Sequence, residues 1–434
     1  MDLPKSFDLA NPGKRYRVRL IKSLYGLKQA GERFYQLLKS KLAEHGLHPT
    51  AHDQCVFVKL DPETGQSVYV VSFVDDLIVT GSDPTWIAAT TEHIQASFRQ
   101  VTGTDLRRYI GVDIVHDRAN GTVQLTQVPY IEKITSARLS SDPPVRNIPM
   151  APSVDYHDLL PDGTRSLLPE IGELRFLADK TIPSLLAPLS ILARFAASPN
   201  RRHLSAVKTI YQYLATNPHN GVTFSQCPSD EIRLWGMADA SHIQHGDSKS
   251  QLGFALFLNL SSGTVCARSA RDTTVSLSST DAEIKAVKLA LREIIWFRGF
   301  LAELNFPQEE PTVLMTDNTA AIALATEYQL TRRSAHMTVT LNFIHEHIEN
   351  GTIALRYVNT ANNVADVLTK PLPAESFDRH SESLSRGFYG VEPPSSATRV
   401  ISADEAYQRR LSELQRLRKL RSKTIIKASR PQVL

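Results

Sequence analysis

The sequence predicts a mixed α/β chain, of α+β character, with more than one domain, on three observations. From about Arg15 to Ile134, short apolar runs alternate with segments of helical period, the mixing expected of βαβ-like layers. Two adjacent carboxylates, Asp75 and Asp76, interrupt the apolar run from Val68 to Val79, which otherwise reads as two strands. Further along, Asp239, Glu283, Asp317 and Asp366 occupy four different predicted settings.

The elements are expected in the following order. An amphipathic helix covers about Ala30 to His45, and the aspartate hairpin follows it. A helix around Thr85 to Phe98 precedes a strand pair near Arg108 to Leu125 that turns at Asn120-Gly121. A polar, Pro-rich connector from Ser141 through Gly163 then separates this part from helices around Pro169 to Thr216. Asp239 ends the strand-like run Ile232 to Ala238, and two more strands, Gln251 to Leu260 and Thr264 to Ala270, turn at Ser261-Ser262-Gly263. Glu283 lies one turn into a long helix that opens at Ser278-Ser279-Thr280 and keeps helical apolar spacing through Ala290, Ile294 and Phe297. Asp317 stands between the strand Thr312 to Met315 and the helix Thr319 to Ala325. Asp366 follows a last strand, Ile353 to Val358, and opens a short helical turn.

Composition bounds the function classes. The 434 residues are 42% hydrophobic, enough for two or three ordinary cores. A net charge of +4 permits a nucleic-acid partner without requiring one. The three cysteines, Cys55, Cys227 and Cys266, are widely spaced and lack paired histidines, which argues against a zinc module or a disulfide framework and fits a reducing, intracellular compartment, cytoplasmic or nuclear. The stretch Ile182 to Ala197 is broken by Pro183, Pro188 and Arg194, so it reads as a buried helix rather than a membrane span.

Carboxylates are rarely buried without a partner. A divalent cation is one such partner, since hard Mg²⁺ takes oxygen ligands and substrate phosphates. Each acid also has a plain structural role open to it: Asp75 and Asp76 as hairpin turn residues, Asp239, Asp317 and Asp366 as turn residues or helix caps, and Glu283 as a solvated residue near a helix N-terminus.

The neighbouring text carries a resemblance. Phe73-Val74-Asp75-Asp76-Leu77 is similar to the strand-turn-strand of retroelement reverse transcriptases, with Phe in place of the usual Tyr. Ser23-Leu24-Tyr25-Gly26-Leu27-Lys28-Gln29-Ala30, Asp53-Gln54-Cys55-Val56-Phe57 and Tyr109-Ile110-Gly111-Val112-Asp113-Ile114 fit the copia-type long-terminal-repeat retrotransposons at the expected places. Leu277 to Glu283, Thr316-Asp317-Asn318 and Ala365 to Leu372 resemble three later motifs of the same family in order, up to about Pro373. The resemblance implies a partial reverse-transcriptase palm at 1–140, a linker and helical connection at 141–230, a ribonuclease H-like domain with a mixed five-stranded sheet at 231–375, and a basic tail at 376–434.

It further implies Mg²⁺, or Mn²⁺ in its place, held by Asp239, Glu283, Asp317 and Asp366, with Asp75 as the stronger palm ligand beside Asp76. Substrate contacts are implied for His336, Asn318, Lys28 and Gln29. The implied substrate is an RNA–DNA hybrid, with no membrane partner and with association to other retroelement pol products. A catalytically silent nucleic-acid-binding relic is the other reading.

Departures bear on that choice. Asp239-Ala240-Ser241-His242 keeps the first acid of a family Asp-Ala-Asp-Trp and lacks the second. Ala335 replaces a usual Lys, and Thr338 a usual Asp. In the family, the palm's first metal-binding aspartate lies upstream of a segment like Met1 to Phe7, so polymerase activity is expected to be lost from a truncated chain. Ser402-Ala403-Asp404-Glu405 reads as a capping box for a basic helix.

Overall fold

The computed structural model describes residues 24, 26–98, 103, 105–152, 154, 156, 165–242, 249–327 and 335–388. Two compact units divide the chain, Met1–Thr104 and Asp105–Leu434.

In the first unit, α1 (Ala30–Glu44) buries Leu38 and Leu42. After β1 (His48–Pro49) come β2 (Val56–Leu60), β3 (Ser67–Phe73) and β4 (Asp76–Gly81), an antiparallel sheet in the order β1-β2-β3-β4. Because strand side chains alternate faces, Val68 and Val70 of β3 enter one core together with Phe57, Leu38, Leu42, Leu47 and Ile94. Helix α2 (Pro84–Ser97) starts where the Asp83 carboxylate accepts the backbone N–H groups of Thr85 at 2.7 Å and Trp86 at 3.1 Å, a cap of about 1 kcal/mol.

The second unit opens with a sheet of β5 (Arg108–Tyr109), β6 (Val112–Asp117), β7 (Thr122–Thr126) and β8 (Gly221–Ser225), antiparallel in that order. The turn at Asn120-Gly121 forms where expected: Asp117 accepts the N–H groups of Ala119 and Asn120, each at 3.1 Å, and Gly121 takes a φ of +62°, open to glycine at no steric cost. Since β7 pairs with β8, residues 105–140 lie in this unit, and the expected divisions at 140 and 230 both fall inside it.

Among the described residues, four α-helices stand between β7 and β8: α3 (Val128–Arg138), α4 (Leu168–Ala178), α5 (Leu186–Ala193) and α6 (Arg201–Thr216). α5 is the expected buried apolar stretch, with Leu186, Leu189, Ile191 and Leu192 almost fully covered. Among the described residues no helix is long and apolar enough to cross a membrane. Glu170 of α4 is buried but paired, 3.1 Å from Arg138 and 2.5 Å from Arg165, as a buried charge must be.

Next comes a mixed sheet of β9 (Trp235–Ser241), β10 (Gln251–Phe257), β11 (Cys266–Arg271), β12 (Thr312–Thr316) and β13 (Ile353–Tyr357), ordered β11-β10-β9-β12-β13. β10 is antiparallel to both neighbours, and β12 runs parallel to β9 and β13. Counted from its own first strand, the order is 3-2-1-4-5, and the sheet has the five mixed strands expected of the ribonuclease H-like domain. α7 (Ser279–Glu303), α8 (Thr319–Glu327) and α9 (Thr338–Glu349) share a core with Leu234, Ala238, Phe254, Leu256 and Leu314. The connecting helices and α10 (Ala374–Arg386) share another with Trp235, Met237, Ala255, Phe257 and Val313. Both faces of the sheet are therefore covered, as a layered α/β domain requires.

Strand ends differ from expectation by a few residues, β10 stopping at Phe257 and β11 running Cys266–Arg271, and one such difference touches the acids. The strand read as Ile232 to Ala238 begins at Trp235 and pairs with β10 as far as Gln251↔Ser241, so Asp239 lies inside the ladder rather than after it. The helix expected to open at Ser402-Ala403-Asp404-Glu405 lies outside the described residues.

Candidate metal centre

Three chain segments bring Asp239, Glu283 and Asp317 together, and a fourth carries Asp366. Asp239 is carried by β9 and is buried. Glu283 stands in the first turns of α7, a helix capped by the Ser278 hydroxyl, which accepts the Asp281 N–H at 3.1 Å. Asp317 follows directly on the buried end of β12. Asp366 sits within a tight 3-10 turn, Val364–Leu368. One ligand oxygen from each of Asp239, Glu283 and Asp317 lies within 4.8 Å of the others.

The orientation of each acid has a local cause. One Glu283 oxygen accepts the Ala240 N–H at 3.3 Å and the other accepts the Thr316 hydroxyl at 3.2 Å, so the helix acid is tied to both β9 and β12. The Thr369 hydroxyl donates to Asp239. The 3-10 turn is pinned to β9 where Asn363 Nδ2 donates to the Ala238 carbonyl at 3.1 Å. It closes down on β10 at Gly253, the residue opposite Asp239.

Electrostatics mark this cluster as costly without a cation. Burial pushes Asp239 up to about 7; Asp366 and Asp317 add to the rise, and Lys370 and the Thr369 hydroxyl oppose it. Glu283 is pushed up to about 9, by burial first and then by Asp239 and Asp317. Both shifts follow from removing water and crowding like charges. Oxygen donors converging in a buried setting suit a hard divalent ion, so the residues present fit one.

Two residues with no role assigned from sequence join the acids. Lys370 lies 2.7 Å from Asp366. Burial works against its ammonium, but Asp239, Asp366 and Asp317 together hold its pKa above the ordinary lysine value. Thr369 is the other. The legible signal was the spacing of Asp366 and Lys370, four apart.

The remaining candidates stand elsewhere. His336 is 3.7 Å from Asp281, whose carboxylate also accepts the Leu277 N–H at 3.0 Å and lies 3.3 Å from Lys285. Asn318 caps α8, its Oδ1 accepting the Ala321 N–H at 2.9 Å. Ser241, where the family's second acid is expected, is buried, and its hydroxyl has no hydrogen-bond partner among the described residues.

In the first unit, Lys28 and Gln29 are exposed just before α1. Asp75 and Asp76 are exposed at the hairpin tip, where Phe73 pairs with Asp76 across the two-residue turn Val74-Asp75. Val74 there has a φ of +56°, a left-handed conformation that a β-branched residue rarely adopts. The turn thus takes Asp75 out of the ladder and leaves Asp76 to open β4. Among the described residues, no group of three metal-capable side chains includes either one.

Residues 1–152 match the reverse transcriptase (RNA-dependent DNA polymerase) family. Over 389 residues the chain is 29% identical to the retrovirus-related Pol polyprotein from transposon TNT 1-94 of Nicotiana tabacum, an alignment covering 87% of this chain and 29% of that one. The chain is similar to copia-type Pol polyproteins. The transposon RE1 polyprotein of Arabidopsis thaliana is 29% identical, with 85% of this chain and 25% of the relative covered. The Ty1-GR2 Gag-Pol polyprotein of Saccharomyces cerevisiae is 26% identical, with 83% and 21% covered. The chain therefore spans between a fifth and a third of these copia-type relatives' length.

Among solved structures, LC11-RNase H1 isolated from compost is 14% identical, covering 34% of this chain and 97% of its own, with a TM-score of 0.26. A foamy viral protease-reverse transcriptase in complex with double-stranded DNA is 17% identical, covering 38% and 100%, with a TM-score of 0.25. The strand order, rather than these scores, carries the fold.

Proposed function

We propose that the second unit hydrolyses the RNA strand of RNA–DNA hybrids, with Asp239, Glu283, Asp317 and Asp366 holding Mg²⁺, or Mn²⁺ in its place. The observation that supports this best is the convergence of three carboxylate oxygens within 4.8 Å, two of them on buried side chains, in a sheet of ribonuclease H-like order. Bound there, divalent ions supply an activated water and neutralise the leaving 3′ oxygen.

The chain's own part is positional. The Ala240 N–H and the Thr316 hydroxyl fix Glu283, the Thr369 hydroxyl fixes Asp239, and the 3-10 turn brings Asp366 to the edge of the group. A site built this way reads the duplex by phosphate and 2′-hydroxyl contacts rather than by sequence. For the first unit we propose that polymerase chemistry is silent, since among the described residues no third metal-capable side chain groups with the exposed pair Asp75 and Asp76.

The test is cleavage of a labelled RNA–DNA hybrid by the full chain in Mg²⁺, beside Asp317→Asn. Hydrolysis is expected from the wild type and none from the variant, with cooperative unfolding kept. Undiminished cleavage by the variant ends the assignment. Wild-type protein that binds hybrid and never cuts it leaves the nucleic-acid-binding relic, the reading that Ser241 favours.

A further inference from the structure

We propose that Lys370 is a built-in counter-cation of the carboxylate cluster. Its ammonium fills the place beside Asp366 that a second divalent ion would take. The chain then accepts one ion at Asp239, Glu283 and Asp317, and a second only by displacing Lys370. This rests on the nuclease reading for its purpose but not for its test.

The acids are not equivalent. Asp239, Glu283 and Asp317 converge within 4.8 Å, and Asp366 is not one of that group. Asp366 is instead 2.7 Å from Lys370. The pair is no ordinary surface contact, because the Asp366 side chain is only 10% exposed, and exposed pairs of this spacing contribute little.

Lys370 also neutralises more than its own partner: Asp239 and Asp317 both act on it. Without the ammonium, the turn Val364–Leu368 would present the buried Asp366 carboxylate to the buried Asp239 with no counter-charge between them, and like charges so placed repel. Pinning of the turn by Asn363 on Ala238 keeps Asp366 from swinging away.

Lysine suits the part. Its ammonium is a compact charge on a flexible four-carbon stem, with no fixed coordination geometry, so it can satisfy the acids and still leave. Its position four residues after Asp366 means that the leaving cation stays tethered to the same turn. The other polar tie to the cluster from this segment, the Thr369 hydroxyl on Asp239, is uncharged and cannot stand in for it.

Calorimetric titration of the full chain with Mn²⁺, without substrate, tests this. Wild type is expected to show one tighter ion and one much weaker. Lys370→Met should strengthen the weaker ion by about tenfold or more, given the charge removed at such short range, and leave the tighter one within a factor of about three. Lys370→Arg, which keeps the charge, should leave the second ion weak. Adding Asp366→Asn to Lys370→Met should abolish the second ion.

If Lys370→Met fails to fold, Lys370→Gln drops the charge with a polar end retained and carries the same comparison. Unchanged isotherms for the neutral variants overturn the proposal, as does strengthening of the first ion in place of the second. Wild type that binds no Mn²⁺ overturns both this inference and the nuclease reading. Isotherms as expected beside a hybrid that is never cut sink the nuclease alone.

Discussion

Gly253 stands directly across the antiparallel pair from Asp239, and the turn bearing Asp366 rests on it. A Cβ at 253 would lie 2.8 Å from Thr369 Cγ2, 2.9 Å from Leu368 Cβ and 3.2 Å from the Ala365 carbonyl oxygen. The glycine is there for closeness rather than for its dihedral freedom. It lets the turn approach β10 until Thr369 reaches Asp239.

Gly253→Val should therefore push the turn away from the sheet. Overpacking of this kind costs about 1–3 kcal/mol, and the fourth acid should leave the cluster with the turn. Chemical denaturation should show the loss of stability, and Mn²⁺ titration should show weaker binding. Wild-type values for both would mean that the turn does not need this approach.

The cluster's protonation sets a pH dependence. Asp239 and Glu283 rise on folding to about 7 and about 9 from ordinary values of 3.8 and 4.5. The folded state therefore binds more protons than the unfolded state between those limits, so stability without metal falls as pH rises from about 4 to about 9. The loss is expected to grow steadily across that window as first Asp239 and then Glu283 must ionise in the folded state. Mg²⁺ should reverse it, with most effect at the alkaline end. Melting curves in EDTA and in Mg²⁺ at pH 5, 7 and 9 check this, and Asp239→Asn should flatten the EDTA series.

Primer extension on an RNA template should be absent. Asp75 and Asp76 are exposed at a hairpin tip, and among the described residues no third acid groups with them, whereas two-metal transfer needs several ligands. Synthesis by the purified chain that is lost in Asp75→Asn would show a working polymerase centre.

Residues 388–434 carry a run of arginine and lysine from Arg409 to Lys423. Truncation after Gly387 should weaken hybrid binding at low salt. Each phosphate contact removed should lower the slope of log K against log salt by roughly 0.9 for a B-form duplex. Superimposable lines for the two chains would mean that the tail touches no nucleic acid.

How much of this was legible in the sequence follows from range. The hairpin at Asp75-Asp76, the α7 start at Ser278 and the succession of strands and helices from β9 to β13 were readable, because alternation, caps and turns are local. The end of β9 was not: Asp239, Ala240 and Ser241 look like a turn, and only pairing with Gln251 to Gly253 keeps them in the ladder. The partner of β7 was not legible either, since β8 is supplied by a distant segment and an edge accepts any strand that reaches it.

By itself, the sequence determined which side chains are carboxylates, which elements carry them and in what order those elements run. Only the tertiary structure decided that Asp239, Glu283 and Asp317 share one small space while Asp366 is answered by Lys370. It also decided that Asn318 serves its helix and that His336 faces Asp281 instead. The reason is physical: spacing along a chain sets the face of a strand or helix, but the distance between two charges on different elements is set by how closely the backbones between them can pack.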